Sequence, residues 1–357
     1  MVLELEGHLV EDGNLLSSEA VAGEPIGRQD QVKRLRTCLA PMLRGEPALN
    51  TWVSGPPGSG KTLLARRATQ ETCEGAGSRV AAYVNCWEHR SLYSVLQAII
   101  DELKILGAEA QDTNVKMDRL RQALRGRLFV VILDEIDRPM PAQREEIIYG
   151  LLSLPKGALA CIANGTQALA TMDERVRSRL SPVVVELTAY STEESEAILA
   201  DRARRALVPG SWSSAVLRRI AAGAAGDARL AIQLLRQGAA AAEEAGSSRI
   251  DWRFVEQRIR QYQTLREESR LAGLSEHERI IWELVRQHTP LGTTELARHY
   301  LAHCQRHGIQ PMARRTFTKY LSRLAATGMV AVSQQPLNAG GRVVCAWGSK
   351  KLRPEMP

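Results

Sequence analysis

The sequence contains no run approaching the roughly 18 apolar residues that a membrane-spanning helix needs, so no such anchor is expected. Its six cysteines, at 38, 73, 86, 161, 304 and 345, form no Cys-x-x-Cys pair. That spacing argues against a disulfide framework and a zinc site, and points to reduced thiols in a cytoplasmic protein. The opening Met1-Val-Leu-Glu-Leu-Glu is acidic and lacks the basic-then-apolar order of a secretory signal. Apolar residues at 44% and charged residues at 24% sit near the globular average, which excludes wholesale disorder and fibrous rods. A chain of 357 residues is long enough for two or three domains, each with its own core.

Net charge is also missing from most of the chain. The first 273 residues hold 35 basic and 35 acidic side chains, whereas Leu274 onward holds 12 Lys and Arg against 5 Asp and Glu. The whole excess of +7 therefore lies in the last quarter. A basic terminal unit on a neutral body points to a polyanionic partner, most simply nucleic acid.

Short apolar runs alternate with helical patterns between residues 51 and 187. Thr51–Ser54, Val80–Asn85, Leu128–Leu133, Leu159–Asn164 and Val183–Leu187 read as buried strands of a parallel sheet covered on both faces. After Ser191 strand signals stop, and Ala-rich helical segments follow at Thr192–Ala206, Ser213–Ala222, Ala228–Ala245 and Asp251–Arg270. The expected organisation is a loose arm (1–20), an α/β core (21–190), an all-α unit (191–270), a link over Ser269–Ser275, a basic unit (274–348) and a tail (349–357).

Gly55-Pro-Pro-Gly58-Ser59-Gly60-Lys61-Thr62 fits G-x-x-x-x-G-K-[ST] at every fixed position, after a predicted strand and before a predicted helix. Glycines let backbone N–H groups converge on phosphate oxygens, and the helix N-terminus adds its positive dipole end. The expected nucleotide-binding set is Gly55, Gly58, Ser59, Gly60, Lys61, Thr62 and Leu63. In it Lys61 reaches the β- and γ-phosphates and Thr62 ligates Mg²⁺. The run Leu128–Leu133 ends in Asp134-Glu135-Ile-Asp137, carboxylates at the sheet edge where open α/β sheets bind ligands. Asp134 is the expected second Mg²⁺ ligand and Glu135 the residue that polarises the attacking water. Asp137 reads as a helix cap or surface carboxylate. Asn164, at the polar tip of the fourth strand, could bridge the γ-phosphate and the lytic water, or could simply precede the Gly165 turn.

Arg175, Arg177 and Arg179 follow, either as a solvated face or as a source of a guanidinium for a neighbour's phosphate. Arg229 stands in the first turn of a predicted helix, where a cation opposes the helix dipole and needs another reason, such as reaching the nucleotide.

In this order and spacing the motifs resemble an AAA+ ATPase of the origin-recognition and Cdc-type helicase-loader branch. Ile26-Gly27-Arg28-Gln29, Tyr83-Val-Asn-Cys86, Leu133-Asp-Glu-Ile-Asp137, Arg175-Val-Arg-Ser-Arg179 and Gly226-Asp-Ala-Arg229-Leu-Ala-Ile232 carry the resemblance over about residues 20–348. It implies ATP and ADP as ligands with Mg²⁺. It makes Asn164 the first sensor, Arg179 the arginine finger with Arg175 as second candidate, and Arg229 the second sensor in an all-α lid. Ile26, Gly27 and Arg28 would lie beside the adenine, and Tyr190 and Arg202 would line the nucleotide between core and lid. The 41 residues from 87 to 127 resemble the extra helical insertion of that branch, although the loop Gly107–Asn114 carries Glu109 and Asp112 and no Lys or Arg.

The basic unit reads as a winged helix with three helices and a hairpin. The helix over Ala313–Thr327 places Phe317, Tyr320, Leu321 and Leu324 on one stripe and Arg315, Lys319 and Arg323 on another, with Arg314 adjoining. A cationic helix face suits a major groove, and Arg342, at the edge of a glycine turn, suits a minor groove. His299, His303 and His307 recur every four residues, either as a metal site with Cys304 nearby or as a polar face. The combined expectation is an ATP-dependent initiator that recognises double-stranded origin DNA, self-associates on it at the nucleoid, and helps load the replicative helicase. The alternative is an ATP-switched AAA+ regulator of a mobile element that targets transposition.

Overall fold

The computed structural model describes residues 8–17, 25–74, 78–105, 112–288, 291–327, 329–336 and 342–346. Contacts divide the chain into two compact units, Met1–Arg260 and Gln261–Pro357.

The first unit is built on a sheet whose strands follow the expected apolar runs: β1 (Thr51–Ser54), β2 (Arg79–Asn85), β3 (Leu128–Asp134), β4 (Gly157–Ala163) and β5 (Val183–Glu186). All neighbours pair in parallel, in the order β2-β3-β4-β1-β5. All seven residues of β3 are buried, because helices cover both faces. Alternate side chains of β3 feed opposite cores. Phe129, Val131 and Leu133 join Trp52, Leu96, Leu120 and Ile148, whereas Leu128, Val130 and Ile132 join Leu35, Val53, Leu64 and Ala68. The helices of this layer system are α1 (Gln29–Leu39), α2 (Lys61–Cys73), α3 (Leu92–Glu102), α4 (Thr113–Ala123), α5 (Pro141–Leu151), α6 (Gln167–Ala170) and α7 (Glu174–Leu180).

Two helices occupy the 87–127 segment, as its length suggested. They are joined by a buried lysine: Lys116 Nζ donates to Gln97 Oε1 at 2.6 Å and lies 3.4 Å from the centre of the Tyr93 ring. Most of the acidic loop between the helices, including Glu109, lies outside the described residues.

Three helices follow β5: α8 (Thr192–Ala206), α9 (Ser214–Ala224) and α10 (Ala228–Glu244). Ser191 and Glu194 form a reciprocal capping box at the start of α8. Asp227 caps α10 by accepting the Leu230 N–H.

The arm expected to be loose is packed in its described part. Residues 8–17 lie against this helical layer, with Leu9 and Leu16 buried. The N–H groups of Leu9 and Val10 both donate to Glu243 Oε1, at 2.6 and 3.2 Å, and Glu11 N–H donates to the Ala206 carbonyl. Two buried leucines seven residues apart give no periodic signal, which is why the sequence did not announce the docking.

α11 (Arg253–Ala272) begins in the first unit and ends in the second, so the expected link over Ser269–Ser275 is helical up to Ala272. The second unit continues with α12 (Glu276–His288), β6 (Leu291–Gly292), α13 (Thr293–His307), α14 (Arg314–Ala326), β7 (Val330–Pro336) and β8 (Arg342–Ala346). Its three strands form an antiparallel sheet in the order β6-β8-β7. The core gathers Ile281, Leu296, Tyr300, Phe317, Leu321 and Leu324, so the apolar stripe foreseen on α14 is the one that faces inward. The strand β6 is too short to have left a sequence signal.

Candidate functional site

The C-terminal edge of the parallel sheet opens into a cleft of about 740 Å³, walled by the core on one side and by α8 and α10 on the other. Gly58, Gly60, Lys61, Thr62 and Leu63 line it, together with Asp134, Glu135, Asn164 and the helical-layer residues Arg202 and Arg229.

The loop before α2 has its shape because Gly58 and Gly60 hold φ at +72° and +90°. A Cβ at Gly58 would collide with the Asp227 carboxylate, and one at Gly60 would come within 2.7 Å of the Tyr190 hydroxyl. The loop thus touches the helical layer directly, and the Ala228 N–H donates to the Gly58 carbonyl at 3.2 Å.

Thr62 Oγ1 donates to Asp134 Oδ2 at 2.7 Å, and the Tyr83 hydroxyl donates to the same oxygen at 3.0 Å. The other oxygen of Asp134 accepts the Glu135 N–H at 2.9 Å. Two hard oxygen donors therefore meet at one point beside Lys61. Lys61 Nζ donates to the carbonyls of Gly55 and Pro56 and to Asn164 Oδ1 at 3.4 Å. Burial holds the Lys61 ammonium below its ordinary pKa, and the Arg229 charge pushes the same way, against the opposing pull of Asp134, Asp137 and Glu135.

Asp137 is neither a helix cap nor a surface carboxylate. The chain turns back under the tip of β4, and Asp137 Oδ2 accepts from both the backbone and the side-chain nitrogen of Asn164, at 3.3 and 3.4 Å. Its other oxygen is buried without a hydrogen-bond partner. This carboxylate fixes which end of the Asn164 amide faces Lys61.

Ile26 and Tyr190 line the cleft, and Gly27, Arg28, Gly55 and Ser59 do not. Arg28 is a buried strut. Its Nε donates to the Ser59 carbonyl at 3.3 Å, its Nη2 donates to the Thr188 carbonyl at 2.7 Å, and its guanidinium stacks 3.9 Å from the centre of the Tyr190 ring. Arg202, buried in α8, donates from Nη1 to the Leu15 carbonyl at 2.9 Å, which ties the cleft wall to the N-terminal segment. Arg179 lies outside the cleft. It donates to the Leu152 carbonyl at 3.0 Å and sits over the exposed Tyr149 ring, while Arg175 and Arg177 are also exposed.

The AAA ATPase domain family matches residues 24–162, and the Cdc6 AAA+ ATPase-type lid domain family matches residues 196–259. ORC1-type DNA replication protein 9 of Halobacterium salinarum is 34% identical over 321 residues, covering 88% of this chain and 88% of its own. The chain belongs to the ORC1-type DNA replication protein family. The fold is that of the Aeropyrum pernix ORC2 protein, solved as ADPNP–ADP complexes, with a TM-score of 0.79 at 22% identity over 95% of this chain and 94% of that one. The A. pernix ORC1 protein, solved in complex with DNA, gives a TM-score of 0.65 at 24% identity over 96% and 94%. This ORC1-type chain is an ATPase of the AAA+ class whose α8–α10 layer is the Cdc6-type lid. Its matched relatives are replication proteins, which leaves the mobile-element reading without support.

Sequence reasoning assigned no site role to several polar residues that line the ORC1-type cleft, among them Tyr83, Arg66, Asn85 and Arg138. The Arg66 guanidinium stacks 3.7 Å from the centre of the Tyr83 ring, whose hydroxyl burial and the Asp134 charge hold protonated well above its usual pKa. The nearby Cys86 thiol is pushed up to about 12 by burial and the Asp134 carboxylate, so it is an inert packing group.

In the second unit Arg314, Arg315, Lys319 and Arg323 are exposed on α14. Arg323 is engaged within the unit, 3.3 Å from the carboxylate of Glu278, which is only 1% exposed. The side chain of Arg342 lies outside the described residues, although its backbone opens β8. The three α13 histidines do not converge: His299 stacks on His288 of α12, and His303 packs at a tilt beside His307. Among the described residues no group of three or more His, Cys, Asp or Glu side chains is placed to hold a metal ion. No helix of the described residues is long and apolar enough to cross a membrane.

Proposed function

We propose that this chain is an ATP-switched initiator that binds double-stranded DNA at a replication origin, self-associates there and helps recruit the replicative helicase. The observation that carries the reading is one cleft in which the phosphate loop and the Thr62–Asp134 pair face Arg229 of the lid. A nucleotide bound there would touch both core and lid, so its state can bias their arrangement.

Mg²⁺ fits the donor set, because Thr62 Oγ1 and an Asp134 oxygen are hard ligands already brought within 2.7 Å of each other. When bound, the ion would neutralise phosphate charge. Lys61 binds the β- and γ-phosphates and the loop N–H groups cradle them. Glu135 accepts a proton from the attacking water, and Asn164, its amide set by Asp137, orients that water and the γ-phosphate. Arg229 senses the phosphate from the lid. Ile26, Ile198 and Ile232 supply apolar lining for the base. Arg179, exposed and outside its own cleft, is suited to the γ-phosphate of a neighbouring copy.

The second unit is read as a winged helix with α14 as the recognition helix, its outer face carrying Arg314, Arg315 and Lys319 toward DNA. Arg342 on the wing is the further candidate. The chain would act in the cytoplasm at the nucleoid. A direct test is nucleotide binding with and without Mg²⁺ together with duplex binding by the full chain. Failure to retain ATP with Mg²⁺ would overturn the reading.

A further inference from the structure

Glu243 stands where a carboxylate is disfavoured. It lies in the last turn of α10, at the negative end of the helix dipole. Its Oε1 accepts the N–H groups of both Leu9 and Val10, so its charge is directed at holding residues 8–17 to the lid. The same segment is bound along α8 and the chain after it. Glu11 and Asp12 N–H donate to the Ala206 carbonyl, and Val208 N–H donates to the Leu9 carbonyl. Asp12 then caps a single 3-10 turn, Gly13–Leu16, by accepting the Asn14 N–H at 2.9 Å. This turn packs against α8 and α10, with Leu16 buried. It presents the Leu15 carbonyl to Arg202 Nη1 at 2.9 Å. Arg202 is 5% exposed and lines the cleft. Beyond the turn the chain reaches the cleft itself, at Pro25 and Ile26.

We propose that residues 8–17 are a brace that positions the Arg202 guanidinium in the nucleotide cleft, with Glu243 as the residue that anchors the brace, so that docking of this segment and nucleotide binding strengthen each other. The inference rests on the reading of Arg202 as part of the wall that meets the nucleotide. An arginine side chain has many rotamers, and ordering it on binding lowers affinity. A carbonyl that already fixes one of its nitrogens removes part of that ordering before the nucleotide arrives. Glu243 does not line the cleft. It lies fourteen residues along α10 from Arg229, roughly 21 Å at 1.5 Å per residue. Its effect on the nucleotide therefore runs through the segment it holds. Linkage makes that effect reciprocal: a docked segment that raises nucleotide affinity is itself held more tightly, by the same factor, when nucleotide is bound.

The test uses the full chain with ADP and Mg²⁺, which reports binding without turnover. Amide hydrogen exchange of residues 8–17 is expected to slow about fivefold at saturating ADP. In Arg202→Ala, brought to saturation with more ADP, that slowing should vanish. By calorimetric titration Glu243→Ala should bind ADP about fivefold more weakly, while Glu243→Gln, which keeps the acceptor oxygen, stays near wild type. Leu16→Ala, which loosens the segment from its other side, should weaken ADP in the same direction. On an Arg202→Ala background Glu243→Ala should change nothing further. The exchange measurement on the wild-type chain needs no variant, so it decides the matter even if Glu243→Ala does not fold. Exchange of residues 8–17 that is indifferent to ADP, wild-type ADP affinity in Glu243→Ala, or a loss that persists in full on the Arg202→Ala background would overturn the proposal. Absence of ADP binding by the wild-type chain would instead overturn the reading of the cleft.

Discussion

The carbonyl of Gly58 in the phosphate loop accepts the N–H of Ala228, the first residue of α10, at 3.2 Å. Nucleotide loop and lid are thus in direct contact, and the contact leaves no room for a side chain. Gly58→Ala would place a methyl against Asp227 and force alanine to φ +72°. A loss of about 1–3 kcal/mol of stability is expected from backbone strain alone, measured by thermal unfolding, together with weaker ATP binding. Unfolding and ATP binding both at wild-type values would show that the loop is not held against the lid.

Lys61 and Glu135 should separate binding from chemistry. Lys61→Ala is expected to weaken ATP about 10- to 100-fold, from the roughly 1.5–3 kcal/mol of a charge-assisted hydrogen bond. Glu135→Gln is expected to keep binding and to slow hydrolysis by about 10²–10⁴. Isothermal titration and a phosphate-release assay report the two quantities.

Much of this site was legible in the residue order, and the reasons differ by part. The phosphate loop and the Asp134 strand are local in sequence, so spacing alone placed them. The three central strands were legible because burial on both faces leaves near-continuous apolar runs such as Phe129-Val-Val-Ile-Leu. Their order was not, since pairing β1 between β4 and β5 depends on contacts over a hundred residues away. Tyr83 and Asp137 were missed or misassigned because each meets a partner brought in by the fold, Asp134 and Asn164 respectively.

Asp137 gives a sharper test of that last class. Asp137→Ala frees the Asn164 amide to rotate, and kcat is expected to fall about tenfold, the size of one lost oriented hydrogen bond of about 1.4 kcal/mol, with ATP binding nearly unchanged. Asp137→Asn keeps an acceptor and should fall less. A large loss of ATP affinity with kcat unchanged would place Asp137 in binding instead.

Arg179 should act only between copies. Mixing Arg179→Ala with Lys61→Ala chains is expected to give hydrolysis through sites that pair an intact loop with a neighbour's Arg179. Hydrolysis that tracks the Arg179→Ala concentration alone, with no gain on adding the partner variant, would exclude a finger supplied in trans.

For DNA, the Arg323–Glu278 ion pair divides the α14 cations. Each of Arg314, Arg315 and Lys319 that neutralises a phosphate should contribute about −0.9 to the slope of log K against log salt. Lys319→Ala is expected to flatten the slope by about that amount. Arg315→Ala should relax sequence preference by about 1–3 kcal/mol if it reaches a base edge. Arg323→Ala should leave the slope nearly unchanged and lower the unfolding temperature, because it strips the counter-charge from a buried carboxylate whose other oxygen accepts from Ser275. Anisotropy titrations of the full chain on a short duplex, run at several salt concentrations, measure the slopes.

The most direct test of an ATP-switched DNA-binding protein is the affinity of the full chain for one duplex, measured by fluorescence anisotropy at fixed salt with ATP and Mg²⁺ and again with ADP and Mg²⁺. Linkage requires that a nucleotide-driven change in DNA affinity be matched by a DNA-driven change in nucleotide affinity of the same factor. The expected result is at least about a fivefold difference between the two nucleotides that disappears in Lys61→Ala. Equal affinities with ATP, with ADP and in Lys61→Ala would contradict the switch.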